Sequence, residues 1–97
     1  MKLYRDDSNE ARAEAFDENG LLACFLESDV QCEKDVAIEL LQYLEQKQGE
    51  RIGNAYKVIF DETHVHISEL EGKMESRTYG RNHFFQAVEA WMVFISD

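Results

Sequence analysis

The stretch Asn82–Ile95, NHFFQAVEAWMVFI, decides how the rest of the chain must be arranged. At 3.6 residues per turn, Phe84, Phe85, Val88, Trp91, Met92 and Ile95 fall on one helical face. Ala87, Ala90, Val93 and Phe94 carry apolar character to the flanks, and Glu89 is the only full charge in the stretch. A helix this apolar is covered on more than one side. The expectation is a helix laid across the inner face of a sheet, with a second helix, a dimer mate or a partner covering the remaining flank.

Strands to carry that helix are legible upstream. In Ala55–Phe60, Tyr56, Val58 and Phe60 point one way and Lys57 the other. After Asp61-Glu62, Val65 and Ile67 face in while His64, His66 and Ser68 face out. Gly72-Lys73 is placed for a two-residue turn, so Met74–Tyr79 reads as a further strand ended by Gly80. Further back, Val30, Val36, Ala37, Leu40, Leu41 and Leu44 form the stripe of another helix. Ser28 or Asp29 is its expected cap, with Gln31 at capping-box spacing, and Lys47 and Gly49 its stop. Ala11–Phe16 alternates with period two, Asp17-Glu18-Asn19-Gly20 reads as a turn, and Leu21–Glu27 reads as a central strand, so these two are expected to form a hairpin. Lys2–Arg5 reads as an edge strand. The expected order is βββαβββα: one α+β domain over residues 1–97, with a single antiparallel sheet of five or six strands and two helices on one face.

Charge narrows the function classes. The 97 residues carry 20 acids and 10 bases, a formal charge of −10. The imbalance is local: between Ala13 and Gln46, Lys34 is the only base among nine acids. Such a chain is not expected to bind nucleic acid by neutralising phosphates, and anionic membrane surfaces repel it. A cationic partner is drawn to it, and a concentrated field speeds the encounter. No apolar run is long enough to span a bilayer, and MKLYRDDSNE lacks the apolar middle of a signal peptide, so the expected location is the cytoplasm. Cys24 and Cys32 then read as reduced thiols.

The opening MKLYRDD, the segment AEAFDENGLLACF, the segment YKVIFDETHVHISELE and the closing FFQAVEAWMVFI resemble, in order and spacing, the small bacterial YacL family. That resemblance implies a fold and a bacterial cytosol and assigns no functional residue; the acidic insert those proteins place before the final helix is missing. The size, acidity and layout also resemble the immunity proteins of contact-dependent growth inhibition systems. That second resemblance implies a protein that neutralises one cognate toxin, often a nuclease.

Candidate chemistry is sparse. His64-x-His66 has a spacing that can hold zinc, but neither a C-x-x-C nor an H-E-x-x-H pattern accompanies it, so two solvated or hydrogen-bonded histidines are expected and no metal or cofactor. Nuclease-type chemistry with His83 would need a cationic phosphate site that the net field opposes. Cys32 near a helix start is flanked by Glu33 and Asp35, which disfavour a thiolate. No enzyme is expected. The acids Glu27, Asp29, Glu33, Asp35 and Glu39 differ in kind, because they gather on the strand end and first helix. The plain reading is a solvated helix face. The functional reading is a decoy surface whose carboxylates occupy the cationic groove of a toxin. The expected function is an inhibitory, toxin-binding protein, monomeric or weakly dimeric when free. The alternative is a YacL-like interaction module.

Overall fold

The computed structural model describes residues 1–72 and 75–96. The chain order is β1 (Lys2–Arg5), β2 (Ala11–Glu14), α1 (Asn19–Phe25) running into a π-helical turn (Leu26–Val30), α2 (Lys34–Gln46), β3 (Gly49–Ile52), β4 (Tyr56–Phe60), β5 (His64–Glu69), β6 (Ser76–Gly80) and α3 (Arg81–Ile95). Strands β3-β4-β5-β6 form an antiparallel meander, and β1 and β2 form a separate two-stranded ribbon. The α+β class is as expected. The single sheet of five or six strands, the two-helix count and the order βββαβββα are corrected to two sheets and three helices among the described residues.

The meander follows from period two. Val58 lies opposite Ile67 and Val65 opposite Tyr79, all four buried on the face that takes the helices. His64, His66 and Thr78 occupy the other face, which stays open to solvent. The expected strand Met74–Tyr79 is found as Ser76–Gly80, while Lys73 and Met74 lie outside the described residues.

The N-terminal third differs most from expectation. Leu21–Glu27 is helix, not a central strand, so the expected hairpin with Ala11–Phe16 does not form; β2 pairs instead with β1, Leu3 opposite Ala13. The physical reason lies in the burial. Leu22, Phe25, Leu26, Asp29 and Val30 are buried and Cys24 is exposed, a spacing of three and four. No β-branched residue occurs in Leu21–Glu27 to favour a strand.

Ser28 and Asp29 do not cap α2; they lie inside the π turn. That turn closes when the Gln31 amide donates to the Leu26 carbonyl at 2.9 Å, with Gln31 at φ 56°, ψ −132°, a conformation costly for a residue with a Cβ. The Trp91 indole N–H donates to the Gln31 carbonyl at 2.8 Å and so pins the turn to α3. Only after it does α2 begin, with Glu33 in extended backbone at its N-cap.

In α3, Phe84, Val88 and Trp91 are fully buried, and Phe84 meets Phe60 edge-on at 5.7 Å. Phe85, expected in the same stripe, stays partly exposed beside Leu41 of α2. The second helix expected over the apolar flank is α2, which packs along α3, and the chain's own ribbon adds to that cover. Leu3 packs against the core, and the Arg5 guanidinium lies 5.3 Å from the Phe94 ring centroid. No described helix is long and apolar enough to cross a membrane.

Candidate partner-binding surface

The five carboxylates singled out in the sequence have three different fates. Asp29 is 4% exposed. Its carboxylate accepts from the backbone amides of Ala55 (3.0 Å) and Tyr56 (3.1 Å) and from the Ser28 hydroxyl (3.0 Å). It therefore ties the π turn to the head of β4 and offers nothing to a partner. Gly53 is needed beside it, because a Cβ there would meet an Asp29 carboxylate oxygen at 2.3 Å. Glu27 is also turned to internal use: it accepts from the Ala13 amide at 2.7 Å and pairs with Arg12 at 3.1 Å.

Glu39 is intermediate. It pairs with the Arg51 Nε at 3.2 Å yet keeps 43% of its side chain exposed. Glu33 at the N-cap and Asp35 in the first turn of α2 are exposed, with no ion pair among the described residues. The N-terminal end of a helix favours such charges. The outward surface therefore consists of Glu33, Asp35 and one side of Glu39.

The histidines divide between the two sides of the meander. On the open face, His66 Nε2 lies 2.7 Å from an Asp61 carboxylate oxygen and Nδ1 lies 2.9 Å from the Thr78 hydroxyl. His64 Nδ1 lies 2.9 Å from the Thr63 hydroxyl. Asp61 is held well below the ordinary carboxylate range, first by His66, then by the backbone amides of His64 and Thr63. On the helix side, His83 stacks on Tyr79 and bonds Asn19 at 2.6 Å, joining the starts of α3 and α1. Among the described residues no group of three His, Cys, Asp or Glu is placed to hold a metal ion. Cys24 and Cys32 are free, exposed thiols.

A second concentration of acids was not legible in sequence. Two adjoining clefts, of about 220 and 240 Å³, share Tyr56 and Glu69 where the end of the meander meets α1. Asp17, Glu18 and Glu75 join Glu69 in one, and Glu71 lines the other. These acids come from three separate stretches of chain, and only the helical path of Leu21–Glu27 brings the Asp17-Glu18 turn to β5. Cys24 opens into the same place. Its thiol is pushed up by partial burial and then by Glu27, Glu69 and Glu75, which makes it a poor nucleophile at neutral pH. A larger cleft of about 490 Å³ lies between α2 and α3, lined largely by apolar groups including Leu41, Leu44 and Phe85.

No protein family matches the chain, and no curated protein or solved structure is significantly similar to it.

Proposed function

We propose that this protein is an inhibitory binding protein of the cytoplasm, an immunity protein that neutralises a cognate toxin by covering the cationic surface with which the toxin holds its substrate. The observation that carries this reading is the net charge of −10, with Glu33 and Asp35 standing free and adjacent at the start of α2. A nuclease presents lysines and arginines to phosphate, and an array of carboxylates replaces that company. The protein acts by occlusion and carries out no reaction of its own. The Asp61–His66–Thr78 chain has the components of a relay, but it lies on the solvent side of the sheet, where water screens it.

The test is the double substitution Glu33→Lys with Asp35→Lys. Association with a cationic toxin domain should slow by about tenfold or more at low salt, because steering depends on the local field. Unchanged affinity and unchanged salt dependence would remove the α2 surface from the account.

A second reading, a YacL-like module that assembles with itself, is favoured by one observation. Ile52, 65% exposed, and Ile59 stand on the open face of the meander. Ile52→Asp would then shift the protein toward monomer in sedimentation and leave binding of a cationic partner intact.

A further inference from the structure

The meander ends on an open strand edge. β6 pairs with β5 alone, and its Ser76, Arg77, Thr78 and Gly80 are exposed. The register fixes which of its backbone groups are free. The Glu69 amide donates to the Glu75 carbonyl at 2.8 Å, so in steps of two Glu75, Arg77 and Tyr79 turn their backbone groups toward β5. Ser76, Thr78 and the Gly80 amide therefore point away from the sheet. The Thr78 and Gly80 amides have no hydrogen-bond partner among the described residues, and a Cβ at Gly80 would meet open space. Such a row is a template for another strand. Proline, a bulge or an edge lysine would blunt it, and β6 has none of these.

The charge of this edge selects its occupant. Ser76–Val88 is the longest acid-free run in a chain of charge −10, and it carries Arg77, Arg81 and His83. A cationic partner gains nothing there. Two copies of an acidic chain, by contrast, can bring these strands together without setting acid against acid.

We propose that β6 pairs with β6 of a second copy, antiparallel about a two-fold axis at Thr78, so that the two meanders join into one continuous sheet. The contact is isologous. The Thr78 amide and carbonyl exchange bonds with those of Thr78 in the second copy, and the Gly80 amide donates to the Ser76 carbonyl of the second copy. All of β6 overlaps in this register, and threonine opposite threonine is a favourable pair. Arg77 comes to lie opposite Tyr79 of the second copy. The Tyr79 hydroxyl donates to the Glu18 carbonyl at 2.6 Å, so each copy's Arg77 is brought beside the other's Asp17-Glu18 turn. An axis at Arg77 would instead set two guanidinium groups against each other. A contact built on one short strand is small, so the dimer is weak. α2 stands at the opposite edge of the sheet, where Glu39 pairs with Arg51 of β3, so Glu33 and Asp35 stay free for a cationic partner.

The experiment is sedimentation velocity on the whole chain over a range of concentrations, at low and at high salt, with backbone-amide hydrogen exchange in the same solutions. The dimer fraction should rise with concentration. The dimer should also tighten several-fold in high salt, which screens the repulsion between two bodies of charge −10, whereas a steered toxin complex weakens. Exchange should slow with concentration at the Thr78 and Gly80 amides and stay unchanged at Arg77 and Tyr79, which already bond β5. Thr78→Pro removes an amide that bonds nothing within the sheet, so it should keep the fold and weaken the dimer by about tenfold or more. Thr78→Lys, which sets like charges together at the axis, should weaken it as well. A monomer at every concentration in both salts would overturn the pairing. So would a dimer indifferent to both Thr78 variants, and a dimer broken by Ile52→Asp alone would place the contact on the open sheet face instead.

Discussion

Asp29 and Asp35 lie six residues apart in one acidic stretch, and the fold treats them in opposite ways. Asp29 is buried in the π turn with three donors on its carboxylate; Asp35 stands exposed in the first turn of α2. Nothing in the side-chain chemistry separates them. The backbone does, because the π turn rotates Asp29 toward β4 before Gln31 reverses the chain and α2 starts afresh. A local excess of acid is thus a mixture of structural carboxylates and free ones, and only the free ones can steer a partner.

That contrast is open to measurement, and the largest effect is expected at the buried end. Asp29→Ala strips the acceptor from two backbone amides and should cost about 3 kcal/mol in chemical denaturation. A loss below about 0.5 kcal/mol would put Asp29 in the same class as Asp35. Trp91→Phe keeps most of the apolar volume but leaves the Gln31 carbonyl without its donor, at an expected cost of about 2 kcal/mol. Gln31→Gly relieves the positive φ at the turn and should raise stability by about 1 kcal/mol, a small gain that tests whether strain is held there. At the free end, Asp35→Asn should change stability by less than about 0.5 kcal/mol while slowing association with a cationic partner.

A pH effect sharpens the same distinction on the open sheet face. Asp61 is depressed from the ordinary 3.8 by its bonds to His66 and to the His64 and Thr63 amides. The contribution of such a group is present above the unfolded value and is lost as pH falls through the folded one. His66→Phe should move the Asp61 carboxyl titration upward toward its ordinary value in a carbon-detected NMR titration. An unmoved titration would mean that the backbone amides alone hold it down.

The parts of the fold that were legible are those where pattern and burial agree. In β4 and β5 the large apolar residues alternate and face the helices, and in α3 Phe84, Val88 and Trp91 recur at four and three. The parts that were not legible are those where they disagree. β3 has its polarity inverted: Ile52 faces out at 65% exposure, while Arg51 is tucked inward with one guanidinium nitrogen buried and without a partner among the described residues. No alternation rule finds such a strand. α1 is not legible because the six residues Leu21–Leu26, all Leu, Ala, Cys or Phe, show too little of either period, and the burial that settles it extends through the π turn to Val30.

The candidate site followed the same rule. Glu33, Asp35 and Glu39 were found because helix-start acids show themselves in sequence. Glu27 belongs with them in sequence only as the end of an expected strand, and Asp29 only as the cap of a helix expected to start there. The Tyr56 cleft was missed because Asp17, Glu18, Glu69 and Glu75 are local to nothing in the sequence and become neighbours only through the turn of α1 against the meander.

The most direct test of the proposed function is the association rate with a cationic nuclease-toxin domain, measured at low and at high salt for the native chain and for Glu33→Lys with Asp35→Lys. The account predicts a tight complex whose association slows steeply as salt is added, and a variant that has lost most of that dependence. A complex that forms at the same rate in both salts and with both proteins would contradict it, and so would no complex at all.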